Sequence, residues 1–212
     1  MTKENRQLVF AMLGGLLAVI GFSILVSVAP DLVRPPERPT PTPGGIPVGQ
    51  YREIHDFTLT DQNGAPFKLS DLKGRPLLLS FGYTFCPDVC PLTLADFKAT
   101  RKLLDAQGVD AAYVFVSIDP ERDSAPVLKR YVGLFDPGFI GLTGPVDQIR
   151  AVASMFDASF EKQPPKRGET AYLMAHSSFM YLIDRDGNWT LQYPFQTPPA
   201  VMATDIARLT GK

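Results

Sequence analysis

The chain has 212 residues, 45% of them hydrophobic and 20% charged, with 21 Lys+Arg against 22 Asp+Glu and a formal net charge of -1. That balance leaves no basic surplus to hold a polyanion, which argues against a nucleic-acid partner, and the apolar fraction is too high for a disordered chain. Two cysteines and two histidines are too few for a disulfide-stapled miniprotein or a multi-cysteine zinc module.

The first feature in chain order is an uncharged run of 23 residues, Leu8 to Pro30. As a helix rising ~1.5 Å per residue it reaches about 34 Å, enough to cross a ~30 Å hydrocarbon core. Residues 1–30 are therefore expected to form a membrane anchor. Ser27-Val28-Ala29 also fits a signal-peptide cleavage site, but the apolar run exceeds the ~7–15 residues of a signal core. A short tail ahead of a long domain favours an inside amino terminus and an outside domain. Seven prolines between Pro30 and Pro47 then predict an extended linker over residues 31–50, with the folded domain at 51–212.

Within that domain, Phe57–Thr60 and Pro66–Leu69 flank Asn63-Gly64, a strong hairpin signal. Pro76–Tyr83 (PLLLSFGY) and Ala111–Ile118 (AAYVFVSI) are nearly continuous apolar runs, as expected of strands covered on both faces. Leu92–Leu104 mixes apolar and charged residues and reads as a helix. Ser124 is an N-cap candidate with Pro126 in the first turn of a second helix, and Pro145–Phe156 reads as a third. Phe139–Leu142 is a short strand between them. Glu161–Glu169 is polar and proline-broken, and reads as a long surface loop leading to His176. Ser178–Ile183, a turn at Asp186-Gly187-Asn188 and Trp189–Tyr193 form a late hairpin, and a last helix follows Pro199. Strand–helix–strand alternation followed by a hairpin predicts an α/β fold, a mixed sheet flanked by helices.

The run FGYTFCPDVCP lies between the first buried strand and the next helix, where open α/β sheets place their sites. A residue before proline is biased away from helical dihedrals, so the helix is expected to begin near Pro91, with Pro87-Asp88 folding Cys86 back toward Cys90. Both sulfurs then lie near a helix N-terminus, which stabilises thiolate. The pair reads as a dithiol/disulfide redox couple or as part of a metal site; a purely stapling disulfide would close too small a loop to gain much. His176, 86 residues after Cys90, stands beside the next strand and offers a nitrogen. Two soft thiolates and an imidazole suit copper, whereas zinc prefers a fourth ligand. His55 has no such partner, and Met155, Met174 and Met180 read as core.

The runs FGYTFCPDVCP, VSIDPERDSAPVLKRY and AHSSFMYLIDRDG resemble the Sco/SenC family of membrane-tethered, thioredoxin-like copper-binding proteins. The likeness covers nearly all of residues 51–212, and the order of anchor, linker and domain matches. It implies copper, as Cu(I) and/or Cu(II), bound by Cys86, Cys90 and His176. It also implies Asp119 and Asp123 as an acidic pair beside the metal loop, although the local pattern alone reads them as a strand end and a helix cap. A bacterial inner-membrane location with a periplasmic domain follows from the resemblance, as does a copper-receiving partner such as subunit II of cytochrome c oxidase. One position departs from the family pattern. Members often carry Asp immediately before the histidine, where this chain has Ala175; where that carboxylate supports the imidazole, its loss is expected to change copper affinity or the choice of tautomer. The function expected is a copper metallochaperone supporting oxidase assembly; the alternative is a thiol–disulfide oxidoreductase using Cys86 and Cys90 as its redox pair. The three-residue spacer and the placement of His176 favour the first.

Overall fold

The computed structural model describes residues 44–165 and 171–211. The expected anchor at 1–30 and the linker as far as residue 43 lie outside them. Among the described residues, no helix is long and apolar enough to cross a membrane.

Two strands set the centre of the sheet. β4 (Leu77–Gly82) and β5 (Ala112–Ser117) are buried at every residue and run parallel, from Leu77 opposite Ala112 to Gly82 opposite Ser117. Strands with no polar face have nothing to offer solvent, so they take the middle of the sheet and are covered on both sides. The other strands of this sheet are β1 (Ile46–Glu53), β2 (Thr58–Asp61), β3 (Pro66–Lys68), β6 (Ile140–Thr143), β9 (Met180–Ile183) and β10 (Asn188–Tyr193). The order is β1-β10-β9-β4-β5-β6-β2-β3. β6 is parallel to β5, while β9 is antiparallel to β4 and β2 to β6, giving the expected mixed sheet. The β2–β3 hairpin turns through Gly64, whose φ of +84° lies in the left-handed region open to glycine.

Among the described residues, three α-helices lie between strands, α1 (Val89–Asp105), α2 (Ala125–Gly133) and α3 (Val146–Met155), and a fourth, α4 (Pro199–Leu209), follows β10. α1 packs on α4, and α2 packs on β6. An aromatic cluster of Phe81, Phe156, Tyr181 and Trp189, with ring centroids 5.1–5.8 Å apart, fills the core beneath β9 and β10. Met180 is fully buried, and Met155 and Met174 pack against the core as expected.

Two segments read as irregular from the sequence contain strands. The linker was expected to run to residue 50, but β1 begins at Ile46 and pairs antiparallel with β10, Ile46 opposite Gln192. Proline density masked this strand, because Pro47 tolerates an edge position. The polar segment after Glu161 is also not a plain loop. β7 (Phe160–Gln163) pairs with β8 (Leu173–His176) in a separate two-stranded ribbon, with residues 166–170 outside the described set.

The point where the chain enters the domain is held by a buried carboxylate. Asp205 of α4, only 2% exposed, accepts the backbone N–H groups of Gly44 and Gly45 at 3.0 Å and the Tyr193 hydroxyl at 3.2 Å. Arg208 lies 3.4 Å away and supplies the opposite charge. Asp205→Ala strips these donors of their acceptor, and should lower the unfolding free energy by about 3 kcal/mol in a denaturant titration. An unchanged midpoint would show that the clamp contributes nothing to stability.

Candidate metal centre

The sulfur side of the site is built where β4 gives way to α1. Cys86 N–H bonds the Tyr83 carbonyl at 3.3 Å, closing a turn that leaves Cys86 partly exposed. α1 begins at Val89, two residues before the expected start at Pro91. The first four N–H groups of a helix have no intrahelical acceptor, so proline in the first turn removes no helical bond and the residue before it joins the helix. Cys90 therefore sits inside the first turn, 2% exposed, and its N–H is taken by Cys86 Sγ at 3.4 Å. Gly82 makes room for this packing. A Cβ there would fall 2.8 Å from Cys90 Sγ and 2.7 Å from Phe115 Cε2.

The nitrogen side comes from the last residue of β8. His176 Nε2 lies 3.8 Å from Cys90 Sγ, and its Nδ1 lies 2.9 Å from the Ser177 carbonyl. A carbonyl only accepts, so Nδ1 carries a hydrogen, and Nε2 is the nitrogen turned toward the sulfurs. Tyr83 meets the imidazole edge-on, with centroids 6.1 Å apart. The three donor atoms of Cys86, Cys90 and His176 all lie within 4.8 Å of one another, and among the described residues they form the one such cluster of His, Cys and acidic side chains. Ala175 is exposed and, by strand alternation, points away from the face that bears His176. A carboxylate there would stand across the ribbon from the sulfurs; in this chain backbone, not a carboxylate, holds the imidazole. His55 is exposed and stands apart from the cluster.

Asp119 and Asp123 are not among the clustered donors; they anchor the segments that carry them. Asp123, fully buried, accepts Thr84 N–H at 2.9 Å, Thr84 Oγ1 at 2.6 Å and Ser117 Oγ at 2.6 Å, tying the cysteine loop to the end of β5. Asp119 accepts the Tyr172 hydroxyl at 2.8 Å and pairs with Arg122, so it holds the residue just before β8. Burial and this bond to Asp119 keep the Tyr172 hydroxyl protonated by pushing its pKa up. Ser124 takes the expected N-cap position of α2, but its side chain makes no cap bond. Thr84, Arg122 and Tyr172 were missed as supports. The first two lie inside motifs read for other residues, and Tyr172 carries no signal of its own.

The two thiols are unequal. A hydrogen bond from Cys90 lowers the Cys86 pKa to about 4, with help from His176 and the N–H groups of Cys90 and Asp88, against an opposing effect of burial. The Cys90 thiol is pushed up because it donates to Cys86, and because it is buried. The pair therefore rests as an accessible thiolate beside an inaccessible thiol. Because the Cys86 pKa is lowered, its thiolate persists as pH falls, down to about 4. Iodoacetamide at pH 6 should accordingly modify Cys86 once per chain, leave Cys90 intact, and slow only as the pH approaches 4. A rate that climbs steadily to pH 9, as for an ordinary thiol, would contradict this.

Comparison with known proteins places this geometry. A family model described as SCO1/SenC matches residues 47–211. A SCO2-like protein of Rickettsia felis is 37% identical over 79% of this chain and 82% of its own length. The crystal structure of Arabidopsis thaliana ScoI with copper bound superposes with a TM-score of 0.69 at 32% identity, covering 74% of this chain and 97% of that one. BsSco, in which a disulfide switch has been identified and which is a member of the Sco family of cytochrome c oxidase assembly proteins, superposes at 0.64 with 26% identity over 78% of this chain and 98% of its own. The mixed sheet flanked by helices is the thioredoxin-like fold of these proteins, and the chain belongs to the SCO1/SenC family.

Proposed function

We propose that this chain is a copper carrier that binds the ion through Cys86 Sγ, Cys90 Sγ and His176 Nε2 and passes it to a copper-receiving protein. The observation that carries the reading is the convergence of two sulfurs and one correctly oriented imidazole nitrogen within 4.8 Å. Its donor set fits copper: soft thiolates hold Cu(I), and the imidazole adds the harder donor that Cu(II) favours. The copper-bound Arabidopsis relative supports the choice of ion. On binding, the Cys86 thiolate meets the ion first, Cys90 loses its proton to solvent, and the imidazole closes the third side. Release reverses this order, with exposed Cys86 free to exchange with a ligand of the recipient. Because BsSco belongs to a family of oxidase assembly proteins, we assign the recipient to cytochrome c oxidase assembly, with the copper-bearing subunit II as the partner. In the same reading residues 1–30 anchor the chain in a bacterial inner membrane and the domain works on the periplasmic side.

The inequality of the thiols supports a second reading, reduction of the recipient's cysteines. The Cys86 thiolate attacks the recipient's disulfide and releases one of its sulfurs as thiolate. Cys90 then attacks the mixed disulfide, leaving a Cys86–Cys90 disulfide here and a dithiol there. The two roles exclude each other in time, since the disulfide removes two copper ligands.

Metal analysis of the reduced domain separates them. The parent should bind one copper per chain, and Cys86→Ser or Cys90→Ser should abolish binding. His176→Ala should lose Cu(II) and its thiolate charge-transfer absorption, retain most Cu(I) affinity, and exchange disulfides within about threefold of the parent. Full copper retention by the cysteine variants would refute the site. If oxidase assembly in cells survives His176→Ala but fails with Cys86→Ser, reduction is the function.

A further inference from the structure

Sheet register does not fix His176 against the sulfurs. The β7–β8 ribbon makes no strand pairing with the eight-stranded sheet that carries the cysteine loop. An exposed Lys162–Glu121 ion pair joins the ribbon to the rest of the domain, and such pairs constrain little. Arg150, exposed, adds a 3.3 Å bond to the Phe160 carbonyl at the far strand. Phe160 packs into the core and the Tyr83 ring meets His176 edge-on, but the residue just before β8 is pinned by Arg122. Its Nη1 donates to the Tyr172 carbonyl at 3.0 Å, and its Nε pairs with the buried Asp119, which also holds the Tyr172 hydroxyl. The guanidinium lies 3.6 Å from the Tyr172 ring centroid, 4.8 Å from that of Phe85 and 5.6 Å from that of Tyr83. Tyr83 and Phe85 belong to the loop that carries Cys86, and Tyr172 immediately precedes the strand that ends in His176. One planar cation thus joins the sulfur side, the end of β5 and the nitrogen side.

We infer that Arg122 is a positioning residue of the metal centre: it sets the separation of His176 Nε2 from the two sulfurs, and so governs the imidazole's share in binding. The inference rests on the copper reading for its metal readouts, but not for its metal-free one. A guanidinium suits the task because its flat fork fixes two bonds in different directions while its faces stack on aromatic rings. Lysine keeps the charge and loses both the fork and the stack.

The test uses the full chain carrying Arg122→Lys, and a charge-neutral Arg122→Met/Asp119→Asn pair that leaves no unpaired buried carboxylate should the first unfold. In reduced, metal-free protein the His176 ring resonances should shift by NMR while those of His55, the other histidine of the chain, stay in place. Cu(II) affinity should fall about tenfold or more, with an altered thiolate charge-transfer band, while Cu(I) affinity stays within about threefold. Combined with His176→Ala, the Arg122 change should add no further loss, because both act through one nitrogen. Unmoved His176 resonances, equal losses of Cu(I) and Cu(II), or losses that add to those of His176→Ala would each overturn the inference. A parent chain that binds no copper would instead refute the copper reading, leaving the resonance shifts to decide this one.

Discussion

The fully buried carboxylate of Asp123 makes the cysteine loop part of the sheet. An ionised group without water needs donors on its oxygens, and here it has three: the Thr84 amide, the Thr84 hydroxyl and the Ser117 hydroxyl. Satisfying that charge fixes Thr84 to the end of β5 two residues before Cys86. The turn at Tyr83–Cys86 and the packing of Cys90 against Gly82 lie directly beside this anchored point. Asp119, four residues earlier, does for the ribbon what Asp123 does for the loop. The Asp119–Asp123 turn is thus a shared footing for two segments that meet nowhere else in the sheet.

That footing explains how a small domain keeps two thiols in different states. Cys86 lies at an exposed turn and Cys90 within a helix under the sheet end, so proximity and unequal burial place the proton on the inner sulfur. Soft metals and disulfides both need a sulfur that can be reached and one that completes the reaction from within. The arrangement has the chemistry that both proposed readings require, and the imidazole is the feature that distinguishes them.

The sheet centre was legible because β4 and β5 are nearly continuous apolar runs, and no competing periodicity disturbs them. The cysteine site was legible because a strand, two prolines and a helix start bracket a short loop. β1 was not: the prolines that suggest an unpacked linker are compatible with an edge strand, and its pairing with β10 depends on residues about 140 positions away. β7 and β8 were obscured similarly, as four-residue strands with polar or mixed composition. The start of α1 was displaced because a rule for the residue before proline yields to the freedom of a helix's first turn. Ala175 is the instructive case. Its departure from the family pattern bears on the choice of tautomer, and here the Ser177 carbonyl takes the Nδ1 hydrogen with no carboxylate at position 175.

The ribbon's independence from the main sheet has a kinetic consequence. Strands within a sheet open only at the cost of their neighbours' ladders, so their opening is tied to global stability. β7 and β8 have one ladder between them, so the segment bearing His176 is held to the domain by side chains, buried Phe160, Met174 and the Arg122–Asp119–Tyr172 group, rather than by the ladders of the main sheet. In the copper reading proposed above, loosening these side-chain contacts frees the third ligand without breaking the pairing of β4 and β5.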